Sequence, residues 1–185
     1  GTLTCCQIDI LKLFKDGIST GHGFLREPNS ILSYSALTAI AIQANQNDQH
    51  GGQAIPFLDY GLAPGVMKTF KKAFSSNLRK YLNFVGIIND EDTLLGNLIL
   101  MSENESNSYA QLKESTEFSE ALKAKLIDYY DVEESIINKA IKVSYKEAYK
   151  ETDKQTYQAM EALIHNLNTM HSRAGSQVPF SSVNF

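Results

Sequence analysis

Apolar positions follow two rhythms along the 185 residues, a short alternating one at the two ends and a helical one between them. Thr2 to Ile10 is a compact run of β-branched and apolar residues, too short for an ordinary helix, and predicts a buried strand. Successive side chains of a strand point to opposite faces, so Leu3, Cys5, Gln7 and Asp9 share one face and Thr4, Cys6, Ile8 and Ile10 the other. The second face is the apolar one. Cys6 is therefore expected against helices, and Cys5, beside Gln7, toward a more polar space. Gly17, Gly21 and Gly23 punctuate a loop through Arg26-Glu-Pro-Asn29. After it, with Asn29, Ser30 or Ser33 as cap, Ile31, Tyr34, Ala36, Leu37, Ile40, Ala41 and Ala44 recur at helical spacing, predicting a helix buried on most of its circumference. The pattern stops at Asn45-Gln-Asn-Asp-Gln-His-Gly-Gly-Gln53, a loop without an apolar side chain. It is open to two meanings: a solvated turn, or a place where Gly51-Gly52 lets a ligand approach the backbone.

Farther on, Ile55 to Tyr60 predicts a short helix or turn. Pro64 suits the first turn of a helix running to about Phe84, with Val66, Phe70, Ala73, Phe74, Leu78, Tyr81 and Leu82 as its apolar stripe. Lys68, Lys71, Lys72, Arg79 and Lys80 crowd the other side as a solvated face. Thr93 to Met101 predicts another helix, and Ser102 to Ser108 an exposed linker. Asp131-Val-Glu-Glu134 and Thr152-Asp-Lys-Gln155 both fit the capping box, in which a short polar side chain and an acid or amide three residues on satisfy each other's backbone N–H groups. Helices are therefore expected near 109–129, 132–150 and 153–171. The last has Tyr157, Met160, Leu163, Ile164 and Leu167 on a broad apolar face and Gly175 beyond its end. Gln177 to Phe185 predicts a second strand. The expected fold is α/β but mostly helical, with the two terminal strands parallel and adjacent and the helices forming a long insert. Parallel strands normally belong to larger sheets covered on both faces, so the chain is expected to be part of a bigger α/β protein.

Composition narrows the function classes. With 43% hydrophobic and 21% charged residues, the chain can bury a real core. A formal charge of −4 and no basic run give no electrostatic case for nucleic acid as a partner. No apolar stretch is long enough to span a bilayer and no signal-peptide pattern opens the chain, so a cytoplasmic location is expected and no membrane partner. The two cysteines are neighbours, and a bridge between them would be a strained ring. Neither they nor the four histidines show zinc-site spacing, so no metal ligand is assigned.

Several ordered motifs carry a resemblance. Thr4-Cys-Cys-Gln-Ile-Asp9, Leu13-Phe14, Gly21-His-Gly-Phe-Leu-Arg-Glu-Pro28, Ala39-Ile-Ala-Ile-Gln43, Gln46-Asn-Asp-Gln-His-Gly-Gly-Gln53, Asp59-Tyr-Gly-Leu-Ala-Pro64 and the run from Gln158 through Ala174-Gly175 to Ser182 resemble the anaerobic, class III ribonucleoside-triphosphate reductases, which are glycyl-radical enzymes. Residues 86–150 carry no motif of that family and are expected to be a variable set of helices. The resemblance implies that residues 1–185 form the N-terminal part of the catalytic α/β barrel shared with pyruvate formate-lyase.

It also implies a chemistry, the reduction of ribonucleoside triphosphates to deoxyribonucleoside triphosphates for DNA synthesis. A thiyl radical on a cysteine of the barrel's central loop takes the 3′ hydrogen of the ribose, the 2′ hydroxyl leaves as water, and a second cysteine on the first barrel strand supplies hydrogen to the other ring face. Motif for motif that second, catalytic cysteine is Cys5, with Cys6 as packing, Thr4 near the substrate's ribose or phosphates, and Gly51 and Gly52 lining the nucleotide's approach. The whole enzyme would need a glycyl radical, zinc, a radical S-adenosylmethionine activating enzyme, formate as reductant in many members, and deoxynucleoside triphosphate or ATP effectors acting on a homodimer. The isolated chain is expected to be inactive. The alternatives are a non-catalytic helical interaction module, favoured by the polar-faced helices, and a thiol redox protein, disfavoured because adjacent strand cysteines diverge.

Overall fold

The computed structural model describes residues 6–16, 18–19, 24–25, 27–48, 52–56, 58–169 and 181–183. Among the described residues six helices make up more than half of the chain: α1 Ile10–Asp16, α2 Ile31–Asp48, α3 Leu58–Phe84, α4 Leu94–Ser106, α5 Thr116–Tyr130 and α6 Glu134–Thr169. The strands are short: β1 Cys6–Gln7, β2 Ile18–Ser19, β3 Phe24–Leu25, β4 Gln53–Ile55 and β5 Ser181–Val183. β1, β4 and β5 form one parallel sheet in that order, while β2 and β3 pair antiparallel.

The terminal strands are parallel but not adjacent. β4 lies between them, pairing Cys6 with Gln53 on one side and Gln53 with Ser181 on the other. Three residues between a glycine pair and Pro56 are too few to show an alternation, and Gln53 is buried although polar. Where a strand to Ile10 was expected, the ladder ends at Gln7 and α1 begins. Asp9 caps α1, its Oδ1 accepting from Lys12 N at 3.1 Å and its carbonyl from Leu13 N. The β2–β3 pair occupies part of the expected glycine-punctuated loop.

The helix boundaries moved for identifiable reasons. Ser30 proves to be the cap of α2, accepting from Ser33 N, and α2 runs on through four residues of the expected amide loop. α2 is buried along one stripe, Ile31, Tyr34, Thr38 and Ile42, rather than all round; Ile40 is 44% exposed. α3 starts at Leu58, so Pro64 falls inside the helix instead of in its first turn. The expected linker at 102–108 is mostly helix: Ser102 and Ser106 hydroxyls donate back to the carbonyls four residues earlier, and Ser102 and Glu103 are buried. Asp131 is not an N-cap. It ends α5 in the left-handed conformation at φ 50°, as Asn107 ends α4. The helix expected over 109–129 begins at Thr116, capped by Ser115. No break occurs at Thr152, which is buried within α6. The apolar face foreseen for 153–171 is also narrower, with Ala159 and Leu163 buried but Tyr157 66% and Ile164 60% exposed.

The chain divides into two compact units, residues 1–68 with 155–185, and residues 69–154. The first holds the parallel sheet over a core of Ile10, Phe14, Ile31, Tyr34, Ile42, Ile55, Leu58, Leu62, Ala159 and Leu163. The Ser35 hydroxyl donates to the Ala159 carbonyl at 2.7 Å, joining α2 to α6 there. The second contains helices and connecting turns but no strand. Its core is built on Phe70, Phe74, Phe118 and Tyr145, with the Phe74 and Tyr145 rings 4.7 Å apart. The basic side of α3 is less free than its spacing suggests: Lys68 pairs with Glu27, Lys71 with Glu103, and Arg79 donates to the Asp92 carbonyl.

Candidate functional site

At the amino ends of β1 and β4 a set of polar side chains meets the strand that carries the cysteines. Cys6 N donates to Gly52 O at 3.2 Å and Ile8 N to Ala54 O at 2.9 Å, and these bonds fix the register of β1 on β4. Gln53, only 3% exposed, sends its side chain back to α2, where Nε2 donates to the Ile42 carbonyl at 3.0 Å. A carbonyl can only accept, so the amide orientation of Gln53 is dictated and its Oε1 faces the other way. Asn45 Nδ2 donates to that oxygen at 2.8 Å and to Cys6 Sγ at 2.9 Å. A primary amide has two N–H groups, one for each acceptor.

This arrangement corrects one expectation. Cys6 is half-buried and turned toward α2, as the apolar face required, but its partner there is a side-chain amide rather than hydrocarbon. Gln7 is exposed on the other side of the strand. Ile8 packs against the first unit's core, while Ile10 belongs to α1 and lies outside the alternation. Gly52 is half-buried at the head of β4 with its carbonyl on Cys6. Cys5, Thr4 and Gly51 lie outside the described residues, as does Gly175.

Asn45 and Gln53 were not foreseen. The available signal was position: Thr38, Ile42 and Asn45 follow at helical spacing on one stripe of α2, so the buried stripe ends on an amide.

Two cavities flank the sheet unit. One of about 420 Å³ is lined by Gln7, Asp9, Ile10, Leu11, Pro56 and Gly61, beyond the carboxyl ends of β1 and β4, where α/β sheets commonly receive ligands. Gly61 permits close packing there, since a Cβ on it would sit 3.1 Å from Ile10 Cβ. The other, of about 630 Å³, is bordered by Lys12, Phe14, Lys15, Glu27, Tyr34 and Pro64. Beside it the Tyr34 hydroxyl donates to Glu27 at 3.1 Å, and Lys68 Nζ donates to Glu27 at 2.8 Å and to the Pro28 carbonyl at 3.0 Å. The hydrogen bond from Lys68 holds the Glu27 carboxyl below its usual range, and burial pushes the Tyr34 hydroxyl up. Burial alone would lower the Lys68 ammonium, but its bonds to Glu27 and Tyr34 outweigh that and raise it. The cluster ties the segment before α2 to α3.

Among the described residues no group of three or more His, Cys, Asp or Glu could hold a metal ion, and no helix is long and apolar enough to cross a membrane.

The whole chain, residues 1–185, matches the family of anaerobic ribonucleoside-triphosphate reductases. The chain belongs to this family. No curated protein matches it significantly. Reductase membership makes the sheet unit the place to look for chemistry, because the chain's two cysteines are residues 5 and 6 and Cys6 opens β1. It also gives the chain, at the level of the family, an oxidoreductase function in ribonucleotide reduction.

Proposed function

We propose that these 185 residues are the N-terminal part of the catalytic barrel of an anaerobic ribonucleoside-triphosphate reductase and that Cys5 is its strand-borne hydrogen donor. The observation that carries the proposal is the family match over the full chain, and the parallel order β1-β4-β5 supports it. In a strand Cys5 takes the side opposite Cys6, the side of exposed Gln7, leaving Cys6 to Asn45.

Cys5 gives its S–H hydrogen atom to the carbon-centred ribose radical after the 2′ hydroxyl has left as water. A C–H bond forms as the S–H bond breaks, and the oxidised sulfur is reset by an external reductant, formate in this proposal. Thr4 lies near the ribose or phosphates, and Gly51 and Gly52 leave the backbone open to the nucleotide. The glycyl radical supplies the initial oxidising equivalent when generated by the activating enzyme. Radical and zinc sites belong to parts of the reductase beyond these residues. The described residues offer no ligand cluster for zinc, and no step here runs through it. Residues 86–150 serve as a variable helical region, and the enzyme works as a cytoplasmic homodimer under deoxynucleoside triphosphate or ATP control.

The test is a product assay on the full-length, anaerobically activated enzyme. Cys5→Ala abolishes deoxynucleotide formation, whereas Cys6→Ala leaves most of it. The reverse order of effects contradicts the assignment.

A further inference from the structure

The side chains that close on Cys6 form a continuous path from one helix to two strands. Ile42 and Asn45 stand on the same stripe of α2, three residues apart. Gln53 of β4 donates to the Ile42 carbonyl, accepts from Asn45, and is almost fully buried. Asn45 then reaches past β4 to the sulfur of Cys6 in β1. β1 is two residues long, and its paired register with β4 runs only from Cys6 to Gln7. So short a ladder does not hold a strand in place by itself.

We infer that Asn45 is a positioning residue: its amide clamps β1 to β4 through Cys6 and Gln53 and thereby fixes the strand position from which Cys5 acts. The inference deepens the proposed function and rests on it for the link to chemistry. Geometry for transfer of a hydrogen atom must be held closely, and a displacement of about 1 Å at a reacting group costs on the order of 100-fold in rate. Cys6 acts here as the handle by which the strand is gripped. A neighbouring thiol with a fixed hydrogen-bond donor makes a register slip of β1 cost that bond as well as the ladder.

The clamp is read without any turnover, by hydrogen exchange in the full-length protein resolved to single amides. Asn45→Asp keeps the size of the side chain and removes the donor; Asn45→Ala removes both. Each variant is expected to speed exchange at the Cys6 and Ile8 amides at least about tenfold, while Leu62 in α3 and Leu163 in α6 stay within about twofold. In the activated enzyme the same variants lower kcat with KM nearly unchanged. Unchanged exchange at Cys6 and Ile8 overturns the clamp. So do equal acceleration at Leu62 and Leu163, slow exchange retained by Asn45→Asp, and failure of both variants to fold, since each makes the contact general or irrelevant rather than local. Faster exchange with wild-type kcat overturns the link to chemistry. If exchange responds as expected but Cys5→Ala still makes deoxynucleotides, the clamp stands and the assignment of Cys5 falls.

Discussion

The two units of the chain are held by different means. In the unit of residues 69–154, large apolar side chains meet at one centre: Phe70, Phe74 and Phe118 are fully buried, and Phe74 contacts the rings of both Phe118 and Tyr145. In the unit of residues 1–68 and 155–185, close approaches and directed hydrogen bonds join the described elements around the sheet. Gly65 presses on Tyr34 and Ile31, Ser35 reaches Ala159, and Gln53 and Asn45 link α2 to the sheet. Apolar packing tolerates drift in sequence as long as volume is kept. Close approach and directed bonds tolerate little. The motifs that resemble the reductases fall in residues 1–68 and 155–185, the unit that carries the directed contacts around Cys6.

The largest expected effect tests the apolar side of this contrast. Phe74→Ala should cost about 3–5 kcal/mol, measured by denaturant unfolding, because it empties the centre of the second core. Phe14→Ala in the first unit should fall at the low end of that range, since Phe14 already borders a cavity. Equal costs would break the comparison.

Adding a methyl group should separate the units by sign. Gly65→Ala places a Cβ 2.8 Å from Tyr34 Cδ2 and 3.1 Å from Ile31 Cα, and should destabilise by about 1–3 kcal/mol. Nothing stands within 4 Å of a Cβ on Gly96 in α4, so Gly96→Ala should stabilise by about 0.5–1 kcal/mol. A pair of like-signed effects in thermal unfolding would contradict the proposed difference.

Alkali should act on the second unit through two of its tyrosines. Burial pushes the Tyr145 hydroxyl up to about 12, and burial with the neighbouring Asp92 does the same to Tyr130. Both tyrosines stay neutral in the folded chain while their unfolded counterparts ionise near 10, so their contribution is complete below pH 10 and is lost as pH rises toward 12. For Tyr145 the loss is up to about 2 kcal/mol. Tyr145→Phe should flatten that part of the pH profile; an unaltered profile would show that this hydroxyl does not carry it.

How far the sequence exposed this design depends on the kind of contact. The apolar stripe of α3 from Phe70 to Leu82 was legible because burial repeats at helical spacing over three turns. The parallel relation of the terminal strands was legible from the apolar runs, but β4 between them was not, since Gln53-Ala54-Ile55 offers no repeat. The capping-box pattern misled at Thr152, where tertiary burial keeps α6 continuous. At the candidate site, alternation turned Cys6 toward α2. Asn45 stayed hidden because an amide at the end of a stripe looks like the loop beyond it until the strand it touches is known.

The central claim is that the cysteine opposite the clamped one gives up the hydrogen atom. One measurement addresses it most directly: deoxynucleotide formed per glycyl radical in the anaerobically activated full-length enzyme carrying Cys5→Ser, with Cys6→Ser as control. A serine O–H bond is too strong to donate to a carbon-centred sugar radical, so the account predicts a normal radical signal with no deoxynucleotide for Cys5→Ser and substantial product for Cys6→Ser. Wild-type product from Cys5→Ser, or loss of product confined to Cys6→Ser, would contradict it and move the donor to the other face of the strand.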